Sequence, residues 1–104
     1  MGIDYSNQNR EKTGMSKEWK TVERILKGAA NHRRLQILDL LQKRPELSVE
    51  EIAELLNVNF KTISGHIQKL AIAGLVLKRY EGNSVRHKLT SRGLSILKFS
   101  RILE

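Results

Sequence analysis

The sequence predicts a mainly α fold with a single two-stranded β hairpin, an α+β arrangement of about five helices plus the hairpin. Three observations lead there. Apolar residues recur at helical spacing over most of the chain, and the single proline, Pro45, falls between two such stretches. From Ser48 to Ala73 two further periodic stretches meet at Asn57 with only a tight turn between them. Beyond them Gly82-Asn83, a dipeptide suited to a tight hairpin turn, separates two strand-like basic runs.

Each element has its own signal. Residues 1–16 are polar and carry Gly2 and Gly14 without a sustained apolar period, so they read as a mobile arm. A first helix is expected over 17–30, with Trp19, Val22, Ile25, Leu26 and Ala29 on one broad side. A second, over 32–43, carries Leu35, Ile37, Leu38, Leu40 and Leu41 and stops before Pro45. A short extended piece near Leu47 is placed to pair with the hairpin. Ser48 and Glu51 form a capping-box signature at the start of the third helix. There Val49, Ile52, Leu55 and Leu56 keep helical spacing, and Ala53 leaves room for a close neighbour. Asn57 tolerates the left-handed conformation that a reversal needs.

The fourth helix, over 59–73, has Asn59 as its cap and Ile63, Ile67 and Leu70 as its buried face. Lys61, Ser64, Gly65 and Gln68 project from the other side, and Gly74 closes it. Strands follow over 76–81 and 84–90, then a last helix over 91–103 with Leu94, Leu97, Phe99, Ile102 and Leu103. Two short helices meeting at a tight turn, followed by a basic hairpin, make a winged helix-turn-helix. Such a domain places its second helix in the DNA major groove and its wing on the backbone or minor groove.

Length and composition agree. At 104 residues the chain makes one domain, 17–104, behind its arm, and a core this small is marginal unless a partner chain adds burial. No apolar run is long enough to cross a bilayer and no signal-peptide pattern is present, which predicts a cytoplasmic protein. With 0 Cys there is neither a disulfide framework nor thiolate chemistry. The net charge of +8 is distributed unevenly. From Asn59 to Arg92 seven Lys or Arg face one acid, Glu81, whereas Pro45 to Val58 holds four Glu and no base. Positive charge therefore gathers on the fourth helix and the wing, as phosphate binding requires.

The segment LNVNFKTISGHIQKLAIAGLV, Leu56 to Val76, resembles the helix-turn-helix core of the ArsR-type winged-helix repressors. Thr62, Ile63, Ser64, His66, Leu70, Gly74, Leu75 and Val76 stand where that family has the same or similar residues. The resemblance runs upstream through RRLQILDLLQKRPELSVEEIAELL and downstream to Glu81-Gly82, covering roughly 25–89. Four departures stand out. The usual Asp-Pro before the second helix is Asn31-His32; the paired histidines of the recognition helix are Gly65-His66; the helix-opening Ser is Asn59; the metal-binding Cys-Val-Cys is Ser48-Val49-Glu50. LTSRGLSIL, Leu89 to Leu97, resembles the closing Leu-Thr-x-x-Gly of other winged-helix families, MarR-like ones included. What the resemblance implies is a prokaryotic, nucleoid-associated regulator of transcription. It would bind a pseudo-palindromic operator as a homodimer and most often repress by blocking polymerase; nothing in the residues excludes activation.

The candidate DNA-binding residues are Asn59, Lys61, Thr62, Ser64, Gly65, His66, Gln68, Lys69, Arg79, Arg86 and Lys88. Each has a plain reading too. Lys61, Ser64 and Gln68 also suit an ordinary wet helix face, Thr62 can bond its own helix backbone, and His66 can be half-buried against the core. Phe60 more often staples the turn than contacts a thymine methyl, and Arg34, which resembles a family position near the second-helix start, more often braces the fold than meets DNA. Arg79, Arg86 and Lys88 suit backbone phosphates, or for Arg86 the minor groove. The homodimer interface is assigned to Trp19, Val22, Leu26, Leu94, Leu97 and Ile102, with burial in the protomer's core as the alternative for Trp19. His32, His66 and His87 fall on three elements and have no Cys to join them, so neither metal nor cofactor is expected. No nucleophile elbow, P-loop or dinucleotide fingerprint marks an enzyme. Two other readings stay open: a protein-interaction winged helix and a nonspecific nucleic-acid-binding module. The residues name no effector.

Overall fold

Helix α1, Thr13–Ala29, leads to α2, His32–Lys43, in the computed structural model, which describes the backbone of residues 13–104 and side chains from residue 18. Then come α3, Val49–Leu56; α4, Phe60–Ile72; strands β1, Val76–Glu81, and β2, Ser84–Leu89; and α5, Ser91–Ile102. The first helix starts four residues before the expected boundary at residue 17, so residues 13–16, read as arm, are helical. The rest of the expected arm, 1–12, lies outside the described residues.

Short-range hydrogen bonds set most boundaries. Asn31 Oδ1 accepts the first-turn amides of Arg33 and Arg34 at 2.9 and 3.1 Å and starts α2. At α3 the capping box closes: Glu51 N–H donates to Ser48 Oγ at 3.1 Å, and Ser48 N–H donates to Glu51 Oε1 at 2.8 Å. Asn57 ends α3 in the left-handed region at φ 55°, and its neighbour Asn59 caps α4 through the Lys61 amide at 2.7 Å. These local devices fix the angle between α3 and α4. Thr90, expected as the last strand residue, instead caps α5, accepting from Gly93 N–H at 3.0 Å and donating to the Gly74 carbonyl at 2.7 Å.

The hairpin pairs antiparallel, with Val76 opposite Leu89 and Glu81 opposite Ser84. The extended piece expected near Leu47 is present as a single bridge to His87, so a third segment steadies the base of the wing. Beneath it the core gathers Ile37, Leu38 and Leu41 from α2, Ile52 from α3, and Ile63, Ile67 and Leu70 from α4, closed by Leu75, Val76 and Leu97. Helix α4 packs on α1, α2, α3 and β1. At Gly28 a side chain would strike Ala73, and this close approach is what lets α1 cross α4. So supported, α4 is a rigid ridge with one face left open.

Candidate nucleic-acid interface

The open face of α4 follows from its periodicity. Ile63, Ile67 and Leu70 point inward, which turns Lys61, Gly65, Gln68 and Ile72 outward as a continuous stripe. Thr62 and Lys69 are also exposed, Ser64 and His66 are half-buried at the margins, and Asn59 is exposed at the cap. Two plain readings are resolved differently. His66 is half-buried, in keeping with its plain reading, whereas Phe60 remains 51% exposed beside a cleft it lines with Val49, Val85 and Arg86.

Strand alternation divides the wing into two faces. Val76, Lys78 and Tyr80 of β1 share one face with Leu89, His87 and Val85 of β2. That face meets α4 across a groove of about 290 Å³ lined by Ser64, Gln68, Lys78, Tyr80, Val85 and His87. Lys78 and Tyr80, both exposed, were not among the expected DNA-binding residues, and they line this groove together with Gln68. The signal was available: counting in twos from buried Val76 reaches both.

The opposite face carries Arg79, Arg86 and Lys88. Arg79 faces Arg86 directly, a like-charge pairing that carboxylates offset. Arg79 Nε and Nη2 donate to Glu46 Oε1 at 2.9 and 2.6 Å. Arg86 donates to the Glu46 carbonyl at 2.9 Å and to Glu81 Oε1 at 3.3 Å, with Glu51 at 3.8 Å. The bond from Arg79 holds the Glu46 carboxyl below its ordinary range. Both arginines therefore brace the wing against the loop before α3. Lys78 and Lys88 have no carboxylate within ion-pair distance among the described residues and carry the wing's uncompensated charge.

Burial lowers the proton affinity of His66, and the nearby Arg34, Lys69, Arg33 and His32 lower it further. His87 is 1% exposed, its Nδ1 2.9 Å from the Leu47 carbonyl, and burial pushes it below the usual histidine range. Among the described residues no three His, Asp or Glu side chains converge as a metal site.

The expected dimer residues separate. Trp19 at 64% and Ile102 at 78% stand out from the surface, with Val22 and Leu26 also exposed, and this removes core burial as the role of Trp19. Leu94 is half-buried. Leu97, assigned to the interface, is instead 4% exposed inside the protomer's own core. The reason is register: Gly93 and Leu97, one turn apart, form the inward face of α5, so Phe99 and Ile102 point away from it. Val22, Ile25 and Leu26 of α1 then line an apolar groove with Ile96 and Phe99 of α5.

A family model, that of the bacterial regulatory proteins of the arsR family, matches residues 31–78. The HTH-type transcriptional regulator Rv0324 of Mycobacterium tuberculosis is 41% identical over 76 residues, 73% of this chain. The transcriptional activator HlyU of Vibrio cholerae is 42% identical over 67 residues, 64% of this chain. The chain spans only 33% of the first relative's length and 61% of the second's. The structure of reduced HlyU superposes with a TM-score of 0.71 at 35% identity, covering 86% of this chain and 95% of that one. The homodimeric winged helix-turn-helix DNA-binding domain of Mb0332 from Mycobacterium bovis gives 0.77 at 34% identity, covering 85% and 82%. Among the described residues no helix is long and apolar enough to cross a membrane.

Proposed function

The chain belongs to the ArsR family of bacterial regulatory proteins, and from that premise we propose that it is a sequence-specific DNA-binding regulator of transcription acting as a homodimer. The observation that carries this reading is the open stripe of α4, whose Lys61 and Gln68, with half-buried Ser64 at the margin, are held on a helix braced from several sides. Base edges in the major groove offer donors and acceptors to side chains of this kind. The wing lies along the backbone or minor groove, with Lys78 and Lys88 as its free cations and the guanidinium donors of Arg79 and Arg86 divided between their carboxylate partners and phosphate.

Two copies join through the exposed apolar residues of α1 and α5, as the homodimeric state of the Mb0332 domain suggests. A two-fold dimer reads a pseudo-palindromic operator with half-sites about one turn, roughly 34 Å, apart. Where the operator overlaps the polymerase site, occupying it represses the promoter. Because HlyU is named an activator, the sign of regulation is taken to depend on where the operator lies.

Selection of bound duplexes from a random pool tests the proposal. Two inverted copies of one short motif, a helical turn apart, are expected. A pool that stays random while binding remains salt-sensitive would indicate a nonspecific nucleic-acid binder, and no retention at all would favour the protein-interaction reading.

A further inference from the structure

The arginines on the wing flank of α4 are paired with carboxylates, whereas the arginines on the other flank are not. Toward the wing, Arg79 and Arg86 are engaged by Glu46, Glu51 and Glu81. On the far flank α2 packs against α4, and the cations of its first turn, His32, Arg33 and Arg34, bear on His66 of α4 together with Lys69. Among the described residues no carboxylate lies within ion-pair distance of Arg33, Arg34 or Lys69. Arg33 Nη1 donates to the neutral Gln36 at 2.8 Å, and Arg34 Nε is buried without an acceptor. The amides at the start of α2 are not the vacant donors, because Asn31 already accepts from both arginines' N–H groups. What remains available is the side chains.

The dimensions say what they meet. An α-helix with its side chains is about 10–12 Å across, and the major groove is about 12 Å wide. A helix seated there fills it, and its two flanks face the two phosphate chains that border the groove. The wing attends one chain. We propose that Arg33, Arg34 and Lys69 form a clamp for a backbone phosphate on the other chain of the same duplex. The inference rests on the DNA-binding reading of α4 and adds to it a second anchoring point, sequence-independent and on the side away from the wing. An arginine fork suits phosphodiester oxygens, and Lys69 adds a point charge.

The test uses the full chain and the duplex it selects. Affinities of wild type, Arg33→Gln, Arg34→Gln and Lys69→Gln for that duplex and for a scrambled one are measured across a salt series. Lys43→Gln, at the other end of α2, controls for the loss of one charge. Each clamp variant is expected to lower the slope of log K against log salt by about one counterion, weakening both duplexes by the same factor. Lys43→Gln should leave the slope unchanged. A methylphosphonate scan should then find a phosphate whose neutralisation weakens wild type but no longer weakens Arg33→Gln or Lys69→Gln. Lys69 is exposed and Arg33 half-buried with its Nη1 on exposed Gln36, so these two decide the matter even if Arg34→Gln fails to fold. Unchanged slopes for both, on a duplex that wild type binds specifically, overturn the clamp and leave the α4 reading standing. A wild type that retains no duplex overturns both.

Discussion

A side chain built on Gly65 would meet nothing within 4 Å, whereas on Gly28 or Gly93 it would collide with Ala73 or the Leu75 backbone. Glycine inside a helix costs roughly 0.5–1 kcal/mol relative to alanine, and no contact within the protomer accounts for it here. Gly65 also sits in the middle of the open stripe, where its absent Cβ lets the helix backbone come nearer to a groove floor. Gly65→Ala should therefore raise unfolding stability by about 0.5–1 kcal/mol in a denaturant titration while weakening operator binding. Stabilisation with unchanged binding would leave the glycine without a role. His87 gives a second prediction at this scale. Its folded-state pKa lies below the unfolded value, so the unfolded chain takes up the proton first. The stability this residue contributes is present above the ordinary histidine value of 6.5 and is lost as pH falls through the lower folded value. His66 shifts in the same direction. Between roughly pH 7 and 5 wild type should lose stability, and His87→Asn, which can keep the bond to the Leu47 carbonyl, should lose less. Equal losses would mean that another group dominates that window.

The helix boundaries with local caps were legible in the sequence. Ser48 with Glu51, Asn59, and Gly74 with its φ of +76° act within a few residues of themselves, so no tertiary knowledge was needed to place them. The start of α1 was not legible, because its first turn carries no acidic residue and the apolar period begins only at Trp19. Nor was the compensation of the wing. Arg79 and Glu46 are 33 residues apart, and only the bridge from Leu47 to His87 brings them together. That is why Arg79 and Arg86 read from the sequence as free phosphate ligands. The capping box is a direct test at this scale. Ser48→Ala should cost about 1 kcal/mol of stability by thermal or denaturant unfolding, since it leaves the Glu51 amide without its acceptor. No loss would mean that the start of α3 is held by packing alone.

For the whole molecule the issue is which apolar surface each chain buries by itself. Helix α1 is apolar on one broad side and α5 on more than one, and periodicity alone does not tell an inward leucine from one awaiting a partner. The structure separates Leu97, packed inside, from Trp19, Leu26 and Ile102, left outside. Leu97→Ala should thus lower folding stability by about 2–5 kcal/mol. Trp19→Ala should leave the fold intact and raise the dimer dissociation constant in sedimentation experiments. A chain that is monomeric at every concentration would remove the two-fold operator from the account.

The central claim is that the open stripe of α4 reads base edges while the surrounding cations hold the backbone. Its most direct test is the affinity of wild type and Gln68→Ala for the selected operator and for a scrambled duplex. Wild type should prefer its operator by on the order of 10³-fold or more. Gln68→Ala should lose about 1–3 kcal/mol of that preference with scrambled binding unchanged. A wild type that binds both duplexes equally, or a Gln68→Ala variant that keeps the full preference, would contradict the claim.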